Sequence, residues 1–92
     1  MIKTKILWVD DEVDLLKPHI IFLENKDFLI QTCNNGSDAV EMIRNENFDA
    51  VLLDENMPGL NGIETLTLMR DISSNIPIIM ITKSEEENIM DD

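Results

Sequence analysis

Four short strand-like stretches alternate along this chain with segments of helical periodicity. They cover residues 6–9, 28–33, 48–53 and 76–81. Three of them are almost uniformly apolar, which is typical of parallel strands buried on both faces, whereas 28–33 is more polar and is predicted to lie at a sheet edge. Because strands and helices alternate throughout, consecutive strands should be parallel with right-handed crossovers. The sequence therefore predicts an open α/β sheet with helices on both faces.

The segments between these stretches predict three helices and the start of a fourth. The first helix follows the first strand and contains Pro18, so we expect a bend or a late start. The second is predicted to begin at Ser37 as its N-cap. The third covers about residues 63–72, and acidic residues after Ser84 are typical of a fourth helix start.

The length and the net charge of the chain favour some kinds of protein and binding partner and disfavour others. A chain of 92 residues suits one domain, and a net charge of −12 disfavours direct binding to nucleic acid while it suits a divalent cation or a basic partner. No apolar run approaches the ~20 residues that cross a bilayer, and the N-terminus lacks a signal-peptide profile. A single cysteine, Cys33, rules out an internal disulfide. We therefore expect a cytoplasmic domain without a membrane partner.

Polar side chains follow three of the predicted strands. Asp10 and Asp11 come directly after the first strand, Asp54 follows the third, and Thr82 follows the fourth. A Met-Pro-Gly turn comes shortly after Asp54. Sites in open α/β sheets form outside the carboxyl ends of the strands, at a topological switch point. We therefore expect these four side chains to converge.

Three converging carboxylates repel one another, so one must stay protonated or a cation must lie among them. An all-oxygen site with open positions suits Mg²⁺, and a carboxylate beside that metal can attack phosphorus to form an acyl phosphate. The Thr82 hydroxyl could then donate to a phosphoryl oxygen. Taken singly, Asp11 could be a helix N-cap and Asp54 a turn residue. Their combination favours a metal and phosphoryl site.

These motifs together resemble the receiver domain of two-component response regulators, in the CheY-like superfamily. The resemblance is carried by Val9-Asp10-Asp11-Glu12, by Leu53-Asp54-Glu55-Asn56-Met57-Pro58-Gly59, by Gly62 and by Ile81-Thr82. It implies a flavodoxin-like open parallel sheet of order 2-1-3-4, with the fifth strand and last helix of the family missing.

The resemblance also implies a function. Asp54 would accept phosphate from a sensor histidine kinase, and Thr82 would be the switch hydroxyl. Mg²⁺ would be held by Asp10, Asp11, Asp54 and the backbone carbonyl of Asn56. The domain would switch an output domain or a downstream protein. Mg²⁺-dependent self-phosphorylation and autodephosphorylation are expected, rather than the activity of a conventional enzyme.

Two departures from the family pattern matter. Receivers ordinarily run on through a fifth strand ending in lysine and a final helix, so residues 1–92 are expected to be an incomplete receiver domain, from the first strand to the start of the fourth helix. The missing helix would cover Ile21 and Phe22, and their exposure could lead to dimer formation. Lys83 stands where the family prefers a small residue after the switch threonine.

A narrower resemblance is to the PorX-type regulators of secretion, whose C-terminal domain is alkaline-phosphatase-like rather than DNA-binding. It is carried by Trp8 and by residues 15–19, 54–56 and 82–87. Nothing in these residues identifies the output domain.

Two other functions stay open. A Mg²⁺-dependent phosphatase that passes through an aspartyl phosphate would want a second acid near Asp54 to activate water, and Asn56 occupies the position where such an acid is expected. A pseudo-receiver would serve only protein contacts and would not bind Mg²⁺.

Overall fold

The computed structural model describes residues 3–82 as a parallel sheet with helices on both faces. In chain order the elements are β1 (Thr4–Val9), a 3-10 helix (Val13–Leu16), α1 (Lys17–Glu24), β2 (Phe28–Cys33), α2 (Gly36–Asn45), β3 (Ala50–Asp54), α3 (Gly62–Ile72) and β4 (Ile78–Ile81). Every paired strand is parallel to its neighbour, and the spatial order is β2-β1-β3-β4. The predicted α/β sheet of order 2-1-3-4 is confirmed, with β2 at its edge.

The sheet separates two apolar cores. Leu7 and Val9 of β1 pack on one face with the apolar side chains of α2 and with Met69 of α3. Ile6 and Trp8 pack on the other face, against the 3-10 helix and α1. Because successive side chains of a strand point to opposite faces, an almost uniformly apolar strand can serve both cores. This is why the apolar runs predicted buried strands.

The first helix begins late, as its proline predicted. Residues Val13–Leu16 form the 3-10 helix, and α-helical geometry starts at Lys17 with Pro18 in the first turn. A proline there breaks no intrahelical hydrogen bond. No residue of α1 is buried, and the side chains of Ile21 and Phe22 are 57% and 60% exposed, so the described residues leave them uncovered. No helix within residues 3–82 has the length and apolar character needed to cross a membrane.

The predicted N-cap of the second helix is wrong. The N-cap is Asn35, whose extended backbone carries its side-chain oxygen to the N–H of Asp38, 2.7 Å away. Ser37 therefore lies inside α2, in its first turn. A serine and an asparagine are both good N-caps, so the sequence alone could not rank them.

Two strands are shorter than predicted. β3 begins at Ala50 rather than at residue 48, and β4 begins at Ile78 rather than at residue 76. Pro77 precedes β4 and accepts a hydrogen bond from Val51 N–H through its carbonyl, but it has no N–H with which to donate to the ladder. The predicted helix start at Ser84, and Lys83 before it, lie outside the described residues.

A cluster of polar side chains lies at the edge of the sheet where the strands begin. Lys5 Nζ lies 2.9 Å from Glu46 Oε1, just after α2, and 4.7 Å from the centroid of the Phe48 ring. The backbone N–H of Lys5 donates to the Asp49 carboxylate at 2.7 Å. The side-chain amide of Gln31 in β2 also donates to Glu46. The cluster thereby links β1, β2 and the segment that enters β3.

The contribution of this cluster to the stability of the fold is predicted to depend on pH, because Glu46 is part of it. The hydrogen bond from Lys5 holds the pKa of the Glu46 carboxyl below its ordinary value. A carboxyl with a lowered pKa in the folded state stabilises the fold above its unfolded pKa, and that contribution is lost as the pH falls through the folded pKa. Between about pH 5 and pH 3, urea melts should show a steeper loss of stability for the parent than for Glu46→Gln.

The difference should be small, because water screens a partly exposed ion pair. Glu24→Gln removes an exposed carboxylate of α1 and serves as the control for the loss of one negative charge. Parallel profiles for Glu46→Gln and the parent would contradict this assignment.

Candidate functional site

The carboxyl ends of β1 and β3 bring three carboxylates together. Val9 pairs with Leu53 in the sheet, so the next residues, Asp10 and Asp54, lie at the same edge. Asp10, Asp11 and Asp54 each offer one carboxylate oxygen, and these three oxygens lie within 4.8 Å of one another. The adjacent strand ends thus produce the convergence that the sequence pattern predicted for these three residues.

Burial and local hydrogen bonds fix two of the three side chains. Asp10 is 1% exposed and Asp54 is 0% exposed, whereas Asp11 faces solvent. Asp10 Oδ1 accepts the backbone N–H of Glu12 at 2.8 Å, and Asp54 Oδ1 accepts the backbone N–H of Asn56 at 3.2 Å. In each case the turn that follows the strand holds the carboxylate, so the site is ordered by its own backbone.

The charge density of this group favours a cation. Two unit negative charges 4.8 Å apart repel by about 3.5 kcal/mol at an effective dielectric constant of ~20. A divalent cation among the three would turn that repulsion into attraction. The donors are all carboxylate oxygens, which suit hard cations such as Mg²⁺ or Ca²⁺. The arrangement can therefore hold such an ion beside a buried carboxylate.

The loop after Asp54 is held between β4 and α3. Glu55 donates its N–H to the Ile81 carbonyl, and its own carbonyl accepts the N–H of Gly62, both at 3.0 Å. The start of α3 is fixed by a capping box, in which Asn61 and Glu64 exchange two hydrogen bonds of 2.9 Å. This capping box was not predicted, although its Asn-x-x-Glu pattern is close to the recognised signal.

Thr82 follows β4 at the same edge of the sheet, but its hydroxyl contacts Glu55, a residue with no predicted role. Thr82 Oγ1 donates to Glu55 Oε1 at 2.9 Å. The sheet pairs Asp54 with Ile81, so Glu55 and Thr82 each stand one residue beyond a paired position. That neighbourhood depends on the register of β3 and β4, and no local sequence signal gives the register.

Cys33 ends β2 beside this site without joining the acidic group. Its carbonyl accepts the backbone N–H of Asp10 at 2.9 Å, and its thiol donates to the carbonyl of Asn35. Burial raises the pKa of the Cys33 thiol, so the group stays protonated at neutral pH. Cys33 is a buried structural thiol.

The sequence matches the family described as response regulator receiver domain over residues 6–92. A transcriptional regulatory protein of Haemophilus influenzae, a CpxR homolog, is 43% identical over 84 residues, which cover 91% of this chain and 36% of that relative. The chain spans about a third of the length of the curated relatives it matches.

Solved structures show the same likeness. The response regulator protein TrrA from Thermotoga maritima, solved in complex with Mg²⁺-BeF, superposes with a TM-score of 0.83 at 31% identity, over 96% of this chain and 76% of that one. A complex of the histidine kinase ThkA with TrrA matches with a TM-score of 0.81 at 33% identity, over 89% of this chain and 70% of that one. The family match and the sheet order agree, and this chain belongs to the response regulator receiver domains of two-component systems.

Proposed function

We propose that this domain accepts a phosphoryl group on Asp54 from a sensor histidine kinase and thereby switches an output domain or a downstream protein. The observation that supports this is the position of Asp54. It is buried at the end of β3, with an oxygen within 4.8 Å of oxygens of Asp10 and Asp11. The burial of a carboxylate among other carboxylates costs free energy, so its presence at this position supports a functional role.

In the proposed reaction a carboxylate oxygen of Asp54 attacks the phosphorus of a phosphohistidine. A P–O bond forms, the P–N bond breaks, and the departing imidazole nitrogen takes its proton from solvent. Asp54 Oδ1 is held by the N–H of Asn56, so the carboxylate is oriented before the donor arrives. Asp11 is the exposed member of the group, so the donor approaches from its side.

The acidic group fits Mg²⁺, which we propose is held by Asp10, Asp11, Asp54 and the backbone carbonyl of Asn56. When bound, the ion supplies positive charge that offsets the charge of the transferring phosphoryl oxygens. The donor set supports this choice, since all three side chains are carboxylates and one of them faces solvent.

Thr82 is proposed as the switch hydroxyl. An acyl phosphate on Asp54 adds negative charge and strong acceptor oxygens at the end of β3. Thr82 follows β4, the strand paired with β3, and its hydroxyl can donate one hydrogen bond. Transfer of that hydrogen bond to a phosphoryl oxygen would carry the signal to the end of β4.

The partners follow from the same proposal. The likeness to a kinase-bound regulator supports a sensor histidine kinase as the phosphoryl donor. The likeness to transcriptional regulators supports an output domain, and the exposed Ile21 and Phe22 support dimer formation. The net charge of −12 argues against direct nucleic acid binding by this domain, and the single free cysteine agrees with a cytoplasmic location. A PorX-type output domain and an incomplete receiver at residues 1–92 stay predictions.

The test is phosphoryl transfer from a small donor. After incubation with acetyl phosphate and Mg²⁺, intact-mass spectrometry should show one added phosphoryl group per chain. Hydroxylamine should remove the group, because it cleaves acyl phosphates, and chelation of the metal should prevent its addition.

Other outcomes identify the other functions. An absence of both incorporation and Mg²⁺ binding would contradict the proposal and favour a pseudo-receiver. Sustained multiple turnover of p-nitrophenyl phosphate would instead favour a phosphatase that passes through an aspartyl phosphate.

A further inference from the structure

The hydroxyl of Thr82 is already engaged in this structure. Thr82 Oγ1 donates to Glu55 Oε1 at 2.9 Å. A threonine hydroxyl has one hydrogen to donate, so while it donates to Glu55 it cannot donate to a phosphoryl group on Asp54. An ionised carboxylate is also a stronger acceptor than a neutral group. Glu55 therefore competes directly with the phosphorylated site for the same proton.

The backbone of Glu55 is restrained on both sides. Its N–H and its carbonyl are bonded to Ile81 and Gly62, both at 3.0 Å. The contact with α3 is also close, because a Cβ built on Gly62 would lie only 2.7 Å from Glu55 Cα. With the Glu55 backbone held on both sides, the hydrogen bond is released when the Glu55 side chain rotates or when Thr82 itself moves away.

We propose that Glu55 is a positioning residue, which holds the hydroxyl of Thr82 in the unphosphorylated domain and so sets how readily the domain responds to phosphorylation. This rests on the proposed function, in which Asp54 is the phosphoacceptor. Removal of the Glu55 carboxylate frees the hydroxyl before phosphorylation. The phosphorylated arrangement then forms more readily, and a phosphoryl mimic binds more tightly.

The binding test is a double-mutant cycle with Mg²⁺ and beryllofluoride, read by titration calorimetry. It compares the parent, Glu55→Ala, Thr82→Val and the double variant. Loss of one exposed, charge-assisted hydrogen bond should tighten beryllofluoride binding by about fivefold in Glu55→Ala. The same substitution in the Thr82→Val background should have no effect, because no hydroxyl remains to be released.

Two further variants separate the effect of the lost negative charge from the effect of the lost hydrogen bond. Asp14→Asn removes one negative charge from the exposed side of the 3-10 helix and should leave the affinity close to the parent's. Glu55→Gln keeps a neutral acceptor and should fall between the parent and Glu55→Ala. If Glu55→Ala has no effect in the parent, or tightens binding equally in both backgrounds, the proposal is overturned.

A second readout needs no ligand. Three-bond scalar couplings of Thr82 in the unliganded protein should report one dominant χ1 rotamer in the parent and averaged rotamers in Glu55→Ala. Averaging already present in the parent, or unchanged couplings in the variant, would overturn the proposal. Failure of the proposed function looks different, since beryllofluoride would then bind to neither the parent nor the variants, or would bind to Asp54→Asn as well as to the parent.

Discussion

Replacement of Asp54 with asparagine is expected to lower phosphoryl incorporation from acetyl phosphate by at least about a thousandfold, because it removes the attacking oxygen anion. Asparagine keeps the shape of the side chain, and its oxygen can still accept the N–H of Asn56 that holds Asp54 Oδ1 at 3.2 Å. The substitution therefore tests the chemistry of the carboxylate rather than its volume. Intact-mass spectrometry over time gives the incorporation rate of the parent and of the variant.

The same variant should not be less stable than the parent. Asp54 is buried in a group of three carboxylates, and a neutral side chain relieves their mutual repulsion. Its urea midpoint should equal or exceed that of the parent when Mg²⁺ is absent, so lost incorporation cannot be attributed to unfolding. Asp14→Asn, on the 3-10 helix, controls for the change in net charge and should be phosphorylated like the parent.

Retained incorporation in Asp54→Asn would contradict the assignment and would point to another acceptor. Asp11 is the first to consider, because it is the exposed member of the same group. Peptide mapping of the phosphorylated variant would identify the acceptor.

The positions of the strands and their parallel direction could be predicted because they depend on signals that are strong over short windows. Apolar runs marked the buried strands, and their alternation with helical segments predicted a parallel sheet. Once the strands are parallel, residues that follow neighbouring strands must meet at one edge. The order that makes β1 and β3 neighbours came from the family resemblance, and with that order Asp10 and Asp54 must lie at the same edge.

Two features could not be predicted from the sequence. One is the choice between neighbouring residues that suit an N-cap equally well, and the other is the register between paired strands. Asn35 and Ser37 are both suitable N-caps, and the backbone geometry of Asn35 decides between them. The contact between Glu55 and Thr82 follows from the pairing of Asp54 with Ile81, which is set by the packing of two strands far apart in sequence.

Replacement of Gly62 with alanine is expected to destabilise the domain by about 1–3 kcal/mol and to weaken Mg²⁺ binding, because overpacking forces the backbone to move. A Cβ on this residue would lie 2.5 Å from the Asp54 carbonyl oxygen and 2.7 Å from Glu55 Cα. Both are backbone atoms directly beside the acidic group. Propensity alone predicts the opposite result, since alanine is favoured over glycine in helices and Gly62 is the first residue of α3.

Gly59 in the same loop provides the matched control. Its φ of +76° lies in the left-handed region, but a Cβ built on it would meet nothing within 4 Å. Gly59→Ala should therefore cost only the left-handed backbone strain, about 1 kcal/mol, and should leave Mg²⁺ affinity unchanged. Urea melts and Mg²⁺ titration calorimetry on both variants separate the two effects. Equal Mg²⁺ affinities for Gly62→Ala and Gly59→Ala would mean that the contact of α3 with the loop does not position Asp54.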